Sequence, residues 1–243
     1  MDFVEGEIIG FDKPYRWTSF DVVGKVRWLL CHQLGVKKLK VGHTGTLDPL
    51  ATGVVVVCTG KRTREIDQLQ NHVKEYVATL QLGATTPSFD LEKPIDATYP
   101  TSHITRELID RTLKEFSGEQ WQVPPMFSAV KVDGKRAYKL ARKGEEAELK
   151  PKKLVIDQIE ALDFDKEQMQ LVIRVVCSKG TYIRALARDI GKKLQSGAHL
   201  TALRRTRVGD IRVEDCMDFA RFEAIVREIT PLDKRNTDDI KQI

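Results

Sequence analysis

The chain has little cysteine: four residues in 243, at Cys31, Cys58, Cys177 and Cys216, none in a CxxC pair or in zinc-ligand spacing to a histidine. That pattern excludes a disulfide framework and a cysteine-based metal site. No apolar stretch approaches the ~20 residues that a membrane helix needs, and Met1-Asp2-Phe3-Val4-Glu5 lacks the basic-then-apolar pattern of a secretory leader. The expected compartment is therefore the reduced cytoplasm. There is no GxxxxGK[ST] loop, no dinucleotide fingerprint, no internal repeat and no low-complexity tract. Charge is not one-sided either: 40 Lys and Arg against 35 Asp and Glu leave +5 and a pI near 8.9, a mild preference for a polyanionic partner.

What the chain does have is a loop of unusual constraint, Val41-Gly42-His43-Thr44-Gly45-Thr46-Leu47-Asp48-Pro49-Leu50-Ala51-Thr52-Gly53, followed directly by Val54 to Cys58. Three glycines permit backbone angles or approaches that a side chain would block, and Pro49 restricts both itself and Asp48. The β-branched run after the loop reads as a strand buried on both faces, which anchors it. Asp48 is thus held in one orientation, either for chemistry or simply to accept the turn hydrogen bonds that Asp before Pro often takes.

Around that loop the pattern reads as α/β, more closely α+β. Ile8-Ile9-Gly10-Phe11 forms a strand entering the turn Asp12-Lys13-Pro14, and Thr18 or Ser19 caps a helix with Val23, Val26, Trp28 and Leu30 on its apolar side. Tyr76, Ala78, Leu80 and Leu82 alternate as the buried face of a strand, on which Tyr76 is a core aromatic or a site residue. Pro87 to Pro100 reads as a surface excursion, followed by a helix from Ile104 to Phe116 capped by Ser102. Asp133-Gly134 marks a hairpin with a basic tip.

Strands at Leu154–Phe164 and Met169–Cys177 then lead through Ser178-Lys179-Gly180 into a helix with Ile183, Leu186, Ala187, Ile190 and Leu194 on one face. Arg184 falls in the first turn of that helix, where its charge opposes the macrodipole at a cost on the order of 0.3 to 1 kcal/mol. Either an anion compensates it, for which Asp48 is the candidate, or its side chain reaches into water. A last helix spans about Phe219 to Ile229, and a polar tail runs from Asp233 to Ile243. Basic clusters at Lys37–Lys40, Lys61–Arg64, Lys150–Lys153 and Arg204–Arg207 are either a phosphate-tracking surface or solvated faces.

Gly42-His43-Thr44-Gly45-Thr46-Leu47-Asp48-Pro49-Leu50-Ala51-Thr52-Gly53 resembles the catalytic-aspartate motif of the bacterial pseudouridine synthases that modify the T-loop uridine of transfer RNA. Gly10-Phe11-Asp12-Lys13-Pro14, Lys74-Glu75-Tyr76, Gly180-Thr181-Tyr182-Ile183-Arg184-Ala185-Leu186 and the stretch from Gly197 to Gly209 resemble further motifs of that family. The resemblance covers Ile8 to about Arg212. It implies the pseudouridine synthase fold, a mostly antiparallel mixed sheet flanked by helices. It also implies one catalytic domain over residues 1–232, with an RNA-gripping lobe projecting at about 124–152 and the tail at 233–243. The family's usual small C-terminal RNA-binding domain is expected to be missing, since about thirty-five residues follow Val208.

By the same resemblance, Asp48 is the catalytic carboxylate, Arg184 its partner, and Tyr76 the ring that stacks on the target base. His43, Tyr182, Leu203 and Lys13 complete the substrate site, with Lys13 packing against the catalytic loop. The reaction class is isomerase, and neither cofactor nor metal is implied. The expected partner is the T-stem-loop of tRNA, with no membrane, no obligate protein partner and a monomeric state. Two alternatives stand beside this reading: a guide-RNA-dependent pseudouridine synthase, against which Leu50-Ala51 weighs, and an RNA-binding or tRNA-folding protein without essential catalysis, for which Asp48, Tyr76 and Arg184 would be unnecessary.

Overall fold

The computed structural model describes residues 1–132, 134–145 and 147–231; the expected tail at 233–243 and Asp133 of the hairpin turn lie outside the described residues. In chain order the main elements are β1 (Ile8–Lys13), α1 (Ser19–Leu34), β2 (Val41–His43), β3 (Ala51–Thr59), β4 (Lys74–Leu82), α2 (Arg106–Lys114), β5 (Gly118–Gln122), β6 (Lys152–Asp165), β7 (Gln170–Cys177), α3 (Ile183–Lys193), β8 (Ala198–Val208) and α4 (Phe219–Arg227). The class is α+β. The chain divides into two compact units, Met1–Lys74 with the described residues from Arg204 onward, and Glu75–Leu203.

In the first unit β3 is the central strand. It pairs antiparallel with β1, Ile8 opposite Cys58 and Lys13 opposite Gly53, and along its other edge with β2, Gly42 opposite Cys58. The Arg204–Val208 half of β8 also lies beside β3. Val54 to Cys58 are all buried, as a strand covered on both faces requires. The aromatic rings tie α4 onto β1: Phe11 stacks on Phe219 at 5.3 Å and meets Phe222 edge-on at 5.1 Å, while Trp17 lies 5.0 Å from Phe219. Such pairs add about 0.5–1.5 kcal/mol each beyond area burial.

Helix α1 opens on a capping box, with the Thr18 side chain accepting from the Asp21 N–H and the Asp21 carboxylate accepting from the Thr18 N–H. Thr18 is the cap; Ser19 is buried and turned to another purpose. The buried stripe is Val22, Val23, Val26, Leu30 and Leu34. Trp28 is not on it: two residues past Val26 it points away from the stripe, lies 60 % exposed and stacks on His32.

In the second unit the strand order is β4-β7-β6-β5. β6 and β7 run antiparallel, Phe164 opposite Leu171, with irregular register near Asp157 and Leu162, and β5 pairs antiparallel with β6 from Lys152 opposite Gln122. Tyr76, Ala78, Leu80 and Leu82 form the buried face of β4, and α3 buries Ile183, Leu186, Ala187 and Ile190. Helix α2 departs from its expected start. Its cap is Thr105, whose hydroxyl accepts from the Leu108 N–H, with buried Ile104 and Ile109 in hydrophobic-staple positions. Ser102 stands three residues too early.

The segment from Pro87 is not a surface excursion at its start. Thr86, Ser88 and Asp90 are buried, and the Thr86 and Ser88 hydroxyls both donate to the Asp90 carbonyl, which folds the chain back on itself. In the region of the expected lobe, Lys131–Val132 pairs with Lys135–Arg136 and the helix Ala137–Ala141 follows, anchored by buried Ala137 and Leu140.

Candidate active site

Five elements of the first unit hold the loop that carries Asp48. From β3, Val56 accepts the Thr44 N–H at 3.0 Å. From the first residue of α1, the Ser19 hydroxyl accepts the Leu47 N–H at 2.8 Å and donates to the Leu47 carbonyl at 3.3 Å. From the turn after β1, the Arg16 N–H donates to the Pro49 carbonyl at 2.8 Å. From β1 itself, the Lys13 ammonium donates to the carbonyls of Pro14, Trp17 and Pro49 at 3.0, 2.6 and 3.3 Å. From β8, Arg205 donates through Nε to the Val54 carbonyl at 2.6 Å and through Nη2 to Gly45 at 3.1 Å. The Ala51 N–H closes a tight turn onto the Asp48 carbonyl at 3.1 Å, with Pro49 in the position where its fixed φ is favourable.

The three glycines of the loop differ in what they are needed for. Gly53 has φ +103, and a Cβ there would lie 2.1 Å from the Arg205 carbonyl oxygen, so only glycine fits. A Cβ at Gly42 would crowd Ile66, whereas one at Gly45 would meet Arg205 at an ordinary 3.8 Å. The Arg204–Arg207 cluster is likewise not a free basic surface. Arg205 is buried as the loop's clamp, and Arg204 pairs with Asp12 at 2.7 Å.

The electrostatics of the loop follow from burial. Lys13 is fully buried, and loss of solvent lowers its pKa to about 8, further lowered by the Arg205 charge and partly restored by Asp48. His43 is held below its ordinary value, first by burial and then by Arg205. Its Nδ1 accepts the Gly45 N–H at 3.2 Å, which leaves the proton of the neutral ring on Nε2. The thiols of this unit are pushed upward chiefly by burial, to about 11 at Cys58 and about 12 at Cys216, so they are protonated near neutral pH.

The second unit carries Tyr76, Tyr182, Arg184 and Leu203. Tyr76 and Leu203 are buried on β4 and β8. Tyr182 is the residue before α3, its backbone N–H and carbonyl both held by the Gln122 amide, at 2.9 and 3.2 Å. Arg184 is buried in the first turn of α3, so its side chain does not reach into water. It donates to the Phe127 carbonyl at 2.9 Å and to Ser88 at 3.3 Å, and its Nε lies 3.6 Å from the Asp90 carboxylate. A guanidinium so placed is oriented by its backbone acceptors as much as by charge.

The TruB family model for the N-terminal domain of pseudouridylate synthases matches residues 32–183, and the model for the C-terminal domain of tRNA pseudouridylate synthase B matches 184–236. The chain belongs to the TruB family. The synthase named tRNA pseudouridine synthase B in Phocaeicola vulgatus is 67 % identical over 222 residues, 91 % of this chain and 94 % of that one. The protein of the same name in Flavobacterium johnsoniae is 50 % identical over 223 residues, 91 % and 96 % of the two chains.

Among solved structures, a chain of a Cbf5-Nop10-Gar1 complex is 30 % identical with a TM-score of 0.66. A chain of an H/ACA RNP bound to a substrate RNA containing 2'-deoxyuridine is 29 % identical with a TM-score of 0.64. Each match covers 91 % of this chain but only about half of the solved one, 54 % and 53 %.

Three residues that hold these groups in place, Ser19, Arg205 and Asp90, are not evident from sequence. Ser19 looks like half of an ambiguous cap, Arg205 like one charge in a basic run, and Asp90 like part of a polar turn. Of these only Asp90 carries a signal: a carboxylate flanked by Ser88 and Thr86, short side chains that fold a turn inward.

Proposed function

We propose that this chain isomerises a uridine in the T-loop of transfer RNA to pseudouridine, with Asp48 as the catalytic carboxylate. The observation that carries the reading is the Asp48 loop, pinned at Leu47, Pro49 and Gly45 by Ser19, Lys13 with Arg16, and Arg205. A carboxylate on so rigid a support suits a reaction that needs one group in one position. The reaction breaks the N1–C1' bond, turns the base and joins C5 to C1', with no redox change and no group donor. Asp48 attacks C1' or takes the C2' proton, and either route requires its ionised form.

The uridine has to leave the loop stack, at a cost of a few kcal/mol. In this proposal Tyr76 offers the stacking surface, Arg184 favours the Asp48 anion, and Tyr182 and Leu203 line the base pocket. His43 contacts nucleotides around the flipped base through its Nε2–H, and Lys13 positions the Asp48 loop. The catalytic domain is residues 1–232, with the lobe at 124–152 gripping RNA. The protein works as a monomer in the cytoplasm, a compartment that its free thiols suit; no helix among the described residues is long and apolar enough to cross a membrane.

The test uses a T-stem-loop transcript. The unaltered protein converts its uridine, while Asp48→Asn binds the RNA within a few fold and makes no pseudouridine, read by mass spectrometry after carbodiimide labelling. Equal turnover by the variant removes Asp48 from the chemistry.

A further inference from the structure

The turn after β1 holds Arg16 in the left-handed region, at φ +68, a conformation that long side chains seldom adopt. What holds it is the loop of Asp48: the Arg16 N–H is the donor to the Pro49 carbonyl. The guanidinium projects outward, and among the described residues it meets only the ring of Tyr15, 5.6 Å away. Four residues on, Phe20 at the start of α1 is 67 % exposed, with its ring set edge-on to His43 at 5.3 Å. Tyr15 is 49 % exposed. Two large rings and a cation are thus left in solvent, each within two residues of, or in direct contact with, a group that fixes or flanks the Asp48 loop.

Phe20 and Tyr15 stand apart from the aromatic cluster of this unit, which is Phe3, Phe11, Trp17, Phe219 and Phe222. A π-face beside a guanidinium is the combination that binds unpaired nucleotides, the ring by stacking and the cation by phosphate attraction. We propose that Arg16, Tyr15 and Phe20 form an RNA-contacting lip beside the Asp48 loop, in which Phe20 stacks on an unpaired base neighbouring the target uridine and Arg16 neutralises a backbone phosphate. This inference rests on the synthase reading and adds Phe20, Tyr15 and Arg16 to His43 as groups that meet the nucleotides around the target uridine. It also accounts for the strained turn, which aims Arg16 outward while tying its own backbone to Pro49.

The experiment measures turnover and affinity on the T-stem-loop for Arg16→Gly, Phe20→Ala and Phe20→Trp. Glycine accepts φ +68 without strain, so Arg16→Gly folds at least as stably as the parent and its effect cannot be assigned to misfolding. It is expected to reduce the slope of log affinity against log salt by about 0.7 to 0.9, the loss of one phosphate contact. Phe20→Ala is expected to raise KM about tenfold with kcat changed less than twofold, and Phe20→Trp to restore KM. With an abasic residue placed in turn on either side of the uridine, one such RNA is expected to bind Phe20→Ala and the parent equally.

Turnover by the unaltered protein with unchanged KM and salt slope in the variants overturns the lip and leaves the synthase reading standing. A Phe20→Ala loss that no abasic substitution cancels overturns it too. Absence of turnover by the unaltered protein overturns both.

Discussion

The ammonium of Lys13 and the carbonyl of Pro49 lie 3.3 Å apart, although 36 residues separate them in the chain. A lysine at the end of β1 is therefore a support of the Asp48 loop, with its three donors directed at the three carbonyls of Pro14, Trp17 and Pro49. Full burial keeps competing water away from those contacts and brings the pKa down to about 8.

Turnover is accordingly expected to fall as pH rises through about 8, because the neutral amine has two N–H groups for three carbonyls. Stability follows the opposite sign. The folded value lies below the ordinary 10.5, so between about 8 and 10.5 the folded protein binds fewer protons than the unfolded chain. The penalty of burying this charge is complete below about 8 and is relieved as pH climbs to 10.5. A kcat–pH profile beside urea unfolding over the same range separates the two, and a kcat that stays level to about pH 9.5 would remove Lys13 from the positioning of the loop.

Ser19 and Thr18 adjoin in sequence but serve different ends. Thr18→Ala removes the helix cap and is expected to cost about 1 kcal/mol of stability with kcat nearly unchanged. Ser19→Ala strands both backbone groups of Leu47, next to Asp48, and is expected to lower kcat at least tenfold for a stability loss of about 1–3 kcal/mol. Paired denaturation and single-turnover measurements check the contrast; equal kcat values in the two variants would contradict it.

Arg205→Ala leaves the Val54 and Gly45 carbonyls without their buried donor, at an expected cost of about 3 kcal/mol in urea unfolding. Arg205→Lys is expected to recover little, because one ammonium on a flexible stem cannot reproduce the two directed N–H groups of the guanidinium. Gly53→Ala, forced against the Arg205 backbone at positive φ, is expected to destabilise by a similar amount or to yield insoluble protein. Parental stability in Gly53→Ala would show that β8 can move away from β3 at Arg205 without cost.

Arg184→Ala is expected to slow the chemical step at least a hundredfold while weakening T-stem-loop binding less than tenfold, read by single-turnover kinetics against filter binding. Asp90→Asn keeps the shape but removes the charge 3.6 Å from Nε, and a loss of about tenfold in the same step is expected. Equal losses in rate and binding would make Arg184 a docking residue.

Much of the framework was legible in the residues themselves, because the cues were local. The β-branched run Val54–Cys58, the period-two face of Tyr76 to Leu82 and the helical stripe from Ile183 to Ile190 are set by side-chain chemistry at fixed spacing, and each is buried as that spacing requires. The motif around Asp48 was equally plain, since glycines and a proline constrain a loop wherever they occur. Where a cue had rivals the local reading slipped. Ser102 and Thr105 both satisfy the chemistry of a cap, and Trp28 is apolar enough to be counted on a face that its helical angle excludes.

Sequence alone determined that a single aspartate sits in a stiff turn ahead of a buried strand, because the restrictions of glycine, proline and β-branching act within a few residues. Tertiary structure alone decided what holds that turn: that Ser19 leaves its cap to bind Leu47, that Lys13 spends its charge on carbonyls, and that Arg205 is a buried clamp instead of a basic surface. The physical reason is desolvation. A polar side chain carries no mark of its partners until folding removes water and makes every unpaired donor and acceptor costly, and only then do residues far apart in the chain have to find one another.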